Sequence, residues 1–190
     1  ADESTATMTK RLESVKVSSS PENRLKFRET LFSSESMESC IGGVILYDET
    51  IRQKSSLNMS VPELIESKGS VVGIKVDTGA KILAQSTDEK ITEGLDGLRE
   101  RLKEYQKLGA QFTKWRGVYN ITKDYPSKLS IDSNAHALAR YAALVQECNM
   151  VPIVEPEVLM DGDHSAKECF EKTSEVIKKC FEELILHKVD

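Results

Sequence analysis

Three short stretches of the chain each set two charged side chains two residues apart: Lys75 and Asp77 in "GIKVD", Lys114 and Arg116 in "KWR", and Glu155 and Glu157 in "VPIVEPE". On extended backbone, alternate side chains share a face, so each pair projects from one side of its strand. Lysines and an arginine set against glutamates and an aspartate neutralise one another and still grip an anion, which suits a phosphorylated substrate. Two carboxylates as close as Glu155 and Glu157 compete for ionisation, so one is expected to serve as an acid while the other stays charged.

The elements that must position these groups are legible from apolar patterning. Runs at 41–47 ("IGGVILY"), 71–77 ("VVGIKVD"), 110–118 ("AQFTKWRGV") and 150–157 ("MVPIVEPE") are short, rich in β-branched or aromatic residues and bounded by Gly, Pro or polar residues, which predicts buried strands. Helical patterns lie between them. "PENRLKFRETLF" follows Ser20 with Pro21 at its first position, and "SVPELIESKG" opens on Ser60 with Pro62 and stops at Gly69. "EGLDGLRERLKEYQKLGA" carries a stripe of Leu95, Leu98, Leu102, Tyr105 and Leu108. "DSNAHALARYAALVQECN" is expected to be capped by Asp132 and Ser133, with Ala135, Leu138, Ala139, Ala142 and Val145 inward. "SAKECFEKTSEVIKKCFEELILHK" is expected to face inward with Cys169, Phe170, Thr173, Val176, Ile177, Cys180, Phe181 and Leu184.

Strands alternating with helices are the mark of βαβ units, hence of parallel strands covered by helices on both faces. An open doubly wound sheet and a closed (β/α)8 barrel both satisfy the pattern. Neither a G-x-G-x-x-G fingerprint nor a Walker lysine loop is present, so the barrel is preferred, with the paired charges at its mouth.

Composition narrows the function classes. At 190 residues, 39% hydrophobic, 30% charged and with a net charge of −5, the chain is unsuited to holding nucleic acid by bulk electrostatics. No apolar run reaches the ~20 residues needed to cross a bilayer and no signal-peptide pattern opens the chain, so no membrane contact and a cytoplasmic location are expected. Cys40, Cys148, Cys169 and Cys180 lack the spacing of a zinc site and are expected to be reduced thiols. His136 is expected to be a surface or packed residue rather than a ligand, His164 to cap its loop, and Trp115, between two charged positions, to pack in the core. The chain opens on Ala1 without an initiator methionine and stops after a helical pattern, so both ends are expected to be cut.

The ordered set "ADEST" with "KR", "ENR", "GVILYDET", "GIKVD", "GLDGL", "KWR", "NAHALARYA" and "VPIVEPEVLMDGDH" resembles the class I fructose-1,6-bisphosphate aldolases along nearly the whole chain. The resemblance implies a (β/α)8 barrel, here a single partial domain over residues 1–190 from the end of strand 1 through helix 5. It also implies a homotetramer, no metal or other cofactor, and reversible cleavage of fructose 1,6-bisphosphate to dihydroxyacetone phosphate and glyceraldehyde 3-phosphate. In that family a lysine Schiff base serves as the electron sink for the carbanion left by C–C cleavage. Carried onto matching positions, Asp2 would orient substrate hydroxyls and assist cleavage. Lys75 and Lys114 would hold hydroxyls or phosphate, with Lys114 also near the iminium. Arg116 would position carboxylates, Glu155 would be the principal acid/base, and Glu157 would tune the Schiff-base lysine. Ser4, Thr7, Arg11 and Arg24 would contact a phosphate.

The departures from the family pattern are as informative. Ala6 stands where the family has a glycine, in what is expected to be a loop intolerant of alanine. Thr78 replaces a lysine, which removes a charge from the phosphate subsite. The lysine that forms the Schiff base belongs to a sixth-strand motif resembling "L-K-P-N-M", expected just past Asp190, and Lys188 lacks that context. The 190-residue chain alone is therefore expected to be inactive. Two other readings compete: a non-catalytic half-barrel module that binds anions or a partner, and a different barrel lyase or isomerase acting on another phosphorylated ketose.

Overall fold

The structure, a computed structural model, describes residues 1–190. In chain order its elements are α1 (Thr5–Ser14), α2 (Pro21–Phe32), β1 (Gly43–Leu46), α3 (Asp48–Ile51), α4 (Val61–Ser67), β2 (Val71–Lys75), β3 (Gly79–Ile82), β4 (Lys90–Glu93), α5 (Leu98–Lys107), β5 (Phe112–Tyr119), α6 (Lys128–Glu147), β6 (Val151–Val158) and α7 (Ala166–Leu186). All four expected strands are present. The chain divides into two compact units, Ala1–Val76 with Lys103–Thr113, and Asp77–Leu102 with Lys114–Asp190.

In the first unit β1 and β2 pair in parallel, Gly43 opposite Val71 and Leu46 opposite Ile74. The chain entering β5 joins the far side of β2, where Gln111 N donates to Val72 O at 2.8 Å. Glycine makes that close approach possible: a Cβ on Gly73 would fall 2.3 Å from the Phe112 ring, and one on Gly43 3.1 Å. The helices begin as their caps predict. Ser20 accepts from Asn23 N ahead of Pro21, and Ser60 and Glu63 form a reciprocal capping box ahead of Pro62. Gly69, at φ +79°, ends α4 in the left-handed conformation that glycine adopts without strain. Leu46, Ile65, Val72 and Ile74 are buried in this unit, as are Met8 and Phe32.

In the second unit β3 and β4 form an antiparallel hairpin, Gly79 opposite Glu93 and Ile82 opposite Lys90, which sequence patterning missed. Asn134, buried on α6, anchors it. Its amide oxygen accepts from Thr92 N, and its nitrogen donates to Lys90 O and Ser130 O. Beyond the hairpin β5 and β6 are hydrogen-bonded neighbours, and Leu159 N donates to Tyr119 O just past their ends. Trp115 is fully buried with its ring 5.3 Å from that of Tyr141, which bears out its assignment to the core.

Four sequence expectations need correction. Helix α6 begins at Lys128, capped by Ser127, so Asp132 and Ser133 lie inside it. The cap is set by a distant group: the Glu89 carboxylate accepts from both N and Oγ of Ser127 at 2.7 Å. Helix α5 starts only at Leu98, because Gly94 and Gly97 occupy left-handed backbone. The apolar face of α7 is largely open, with Phe170 72% and Phe181 61% exposed while Val176 and Cys180 are buried. Finally, Ala6 lies in α1, away from any positive-φ position, where alanine is the residue best suited to the backbone. All four cysteines are unpaired thiols, and no helix is long and apolar enough to cross a membrane.

Candidate active site

Strand β5 alternates as its pattern requires. Thr113 and Trp115 are buried, while Lys114 and Arg116 are only half-buried on the opposite face. Strand β6 answers with Glu155 and Glu157. Lys114 Nζ lies 3.1 Å from Glu155 Oε2, and Arg116 Nε donates to Glu157 Oε2. The two ion pairs advance in step, residue plus two on each strand, as parallel neighbours demand. Each carboxylate thus takes its own cation.

The two pairs differ in finish. The Arg116–Glu157 contact is a charge-assisted hydrogen bond, and the Glu157 carboxylate is the main cause that holds the Arg116 guanidinium above its ordinary value. The Lys114–Glu155 contact has the distance of an ion pair without hydrogen-bond alignment, so the buried Glu155 Oε2 keeps an unfilled acceptor position. A carboxylate beside an ammonium in this way is of the type that takes up or delivers a proton in general acid–base catalysis.

Asp77, buried just past β2, was read from the sequence only as a member of a charged pair. Its Oδ1 accepts from Gly79 N at 3.0 Å and its Oδ2 from Arg116 N at 3.4 Å, so it ties the start of β3 to the backbone beside the ion pairs. On the same stretch Thr92 Oγ1 donates to Arg116 O at 2.7 Å. The position of Arg116 is therefore set through its backbone from two sides.

The remaining predicted site residues belong to the first unit. Lys75 ends β2, half-buried. Ser4 is the N-cap of α1: its Oγ accepts from Thr7 N and lies 3.1 Å from Thr7 Oγ1. Arg11, one turn further along, pairs with Glu3. Arg24 is almost completely buried and its fork is engaged, with Nε and Nη2 donating to Glu49 and Nη1 to Ser19 O. Phosphate binding there would require exchange with Glu49.

A residue the sequence reading missed stands one turn on from Arg24. Arg28 is fully buried and donates from Nε to Ala1 O and from Nη2 to Glu3 O, clasping the backbone on both sides of Asp2. Burial lowers its pKa, opposed by Glu3 and Glu49. The available signal was weak: a second arginine four residues after Arg24, on the same helix face.

Fold and site together define an α/β protein whose strand ends carry ordered carboxylates and cations. The chain belongs to the class I fructose-bisphosphate aldolase family, whose model matches residues 1–190. It is 51% identical over 180 residues, 95% of this chain and 54% of the relative, to a protein named "Probable fructose-bisphosphate aldolase class 1" in Xanthomonas campestris. It is 48% identical over 190 residues, 100% of this chain and 52% of the relative, to fructose-bisphosphate aldolase C of Carassius auratus. Among solved structures, it resembles fructose-bisphosphate aldolase from Plasmodium falciparum, determined in complex with TRAP and a small-molecule inhibitor. That match has a TM-score of 0.94 at 43% identity and covers 97% of this chain and 54% of the other. The α/β fold is accordingly that of a partial (β/α)8 barrel. The chain spans about half the length of the curated relatives it matches.

Proposed function

We propose that the chain supplies the strand-end acid–base and substrate-binding groups of a class I aldolase that reversibly cleaves fructose 1,6-bisphosphate to dihydroxyacetone phosphate and glyceraldehyde 3-phosphate. The observation that carries the reading is the stepped pairing of Lys114 with Glu155 and Arg116 with Glu157 on neighbouring strands. In this scheme a lysine outside the 190 residues attacks the ketone and forms an iminium, which accepts the electron pair released when the C3–C4 bond breaks. Glu155 transfers protons during carbinolamine dehydration, and Lys114, its ion-pair partner, lies near the iminium. Glu157, oriented by Arg116, tunes the Schiff-base lysine. Asp2, braced through Arg28, orients substrate hydroxyls and takes part in cleavage, while Lys75 holds a hydroxyl or phosphate. Ser4, Thr7, Arg11 and Arg24 serve the phosphate. Residues 1–190 then form one partial barrel domain of a cytoplasmic homotetramer that uses no metal in the reaction.

The test has two arms. In a chain continued through the lysine-bearing strand, Glu155→Gln is expected to lower kcat for fructose 1,6-bisphosphate cleavage by about 10²–10⁴-fold, and an unchanged kcat rejects the role. The 190-residue chain alone, treated with substrate and borohydride, is expected to give no covalent adduct; a trapped adduct on it would show that the nucleophile lies within these residues.

A further inference from the structure

Away from the strand-end charges, α6 and the end of α7 bring together three side chains that the aldolase reading does not use. His136, Glu183 and His187 each offer a ligand atom, and these atoms lie within 4.8 Å of one another. We propose that they form a site for one divalent cation of the zinc, cobalt and nickel class, which pins the end of α7 to α6.

The local chemistry supports this in three ways. Glu183 and His187 are four residues apart along α7 and its C-cap, so they share one helical face, and His136 reaches them from α6. His136 Nδ1 stands 3.1 Å from Glu183 Oε2, close to the edge of about 3.3 Å that a tetrahedron of zinc bonds of about 2.0–2.1 Å would require. His187 Nδ1 lies 2.9 Å from Glu183 O. The same Nδ1 stands 3.8 Å from Glu183 Oε2, so the contact with the carbonyl holds the ring against the carboxylate, as partners outside the ligand shell commonly orient ligating histidines.

The carboxylate is prepared as well. Glu183 is buried and its Oε1 is held by Lys179 Nζ at 2.9 Å, which leaves Oε2 facing the imidazoles. Asp132 and Glu182 lie 4.0 and 3.9 Å from the same ammonium, so its charge is more than balanced nearby. Two imidazoles and one carboxylate suit a borderline cation better than the hard, oxygen-seeking calcium or magnesium, and water would complete the coordination. His136 is half-exposed and free to adjust its ring, and the two imidazoles already meet edge to face at 4.9 Å. His136 is the surface residue the sequence leads one to expect, and the proposal adds a ligand's role to it.

Titration of the 190-residue chain with zinc chloride alone, followed by calorimetry, is expected to show one cation per chain. Cobalt chloride should give visible ligand-field bands without a thiolate charge-transfer band. His136→Ala and His187→Ala should each weaken zinc binding by at least about tenfold and abolish the rise in Tm that saturating zinc gives the parent chain. His136→Ala alters an exposed side chain, so its folding is expected to be intact by circular dichroism. Three results would overturn the proposal: zinc affinity unchanged in either variant, a thiolate band that places the ion on Cys40 or Cys169, or no zinc uptake by the folded parent. The last would leave the cluster as a hydrogen-bonded clamp between helices.

Discussion

The two units treat charge differently. In the first, Arg24 and Arg28 are buried and their forks are engaged: Arg24 meets Glu49 and the Ser19 carbonyl, while Arg28 meets the carbonyls of Ala1 and Glu3. In the second, Lys114, Arg116, Glu155 and Glu157 form half-buried pairs, one of them without hydrogen-bond alignment. A buried cation that donates to backbone carbonyls holds that backbone in place because removing it strands several desolvated partners. A half-exposed pair contributes little to stability, so its members can change partners when substrate arrives. Within one chain, arginine serves as scaffold in one place and as adjustable chemistry in the other.

That contrast can be broken most decisively at Arg28. Arg28→Met should lower unfolding free energy, measured by urea denaturation, by about 3–5 kcal/mol, since two carbonyls and the neighbouring acids lose a buried partner. A loss below about 1 kcal/mol would erase the distinction between the units. Next in size is Gly73→Ala, whose methyl group would meet the Phe112 ring at 2.3 Å. Overpacking of this kind costs about 1–3 kcal/mol, and pairing it with Phe112→Leu should restore part of the loss, a coupling that a double-mutant cycle reads directly.

Arg116→Met should cost less than about 1 kcal/mol by the same denaturation. In a chain continued through the lysine-bearing strand it should nonetheless reduce turnover, because Glu157 loses its orienting partner. A stability loss as large as that of Arg28→Met would make the strand-end charges scaffold too. The last effect concerns pH. Burial, with Glu183 second, raises the Cys180 thiol to about 11 from an ordinary 9.0. The unfolded chain therefore releases this proton first, and the associated stability is complete below about pH 9 and is lost as pH rises through about 11. Cys180→Ala should flatten that part of the alkaline unfolding curve.

How much was visible beforehand depends on how local the cause is. The strands around Gly43–Leu46 and Val71–Lys75 announce themselves by composition, and the caps at Ser20, Ser60 and Ser165 by a serine ahead of proline or glutamate. The start of α6 was misread because Glu89, 38 residues before Ser127, captures the cap. The hairpin was overlooked because its four-residue strands are mostly exposed and offer little apolar alternation. Along α7, periodicity identified an apolar face correctly but could not say that Phe170 and Phe181 would lie open on it. Of the candidate site, the residue types and the i, i+2 spacing were legible, whereas the partner of each charge was not.

Sequence by itself determined the alternation of strand and helix, the shared face of Lys114 with Arg116 and of Glu155 with Glu157, and the family to which the chain belongs. These follow from backbone periodicity and from motifs contiguous in the chain. Only the tertiary structure decided that Lys114 meets Glu155, that Arg28 is buried around the backbone of Asp2, and that His136 joins Glu183 and His187. Each depends on groups tens of residues apart, whose separation is set by strand register and helix packing rather than by anything written nearby.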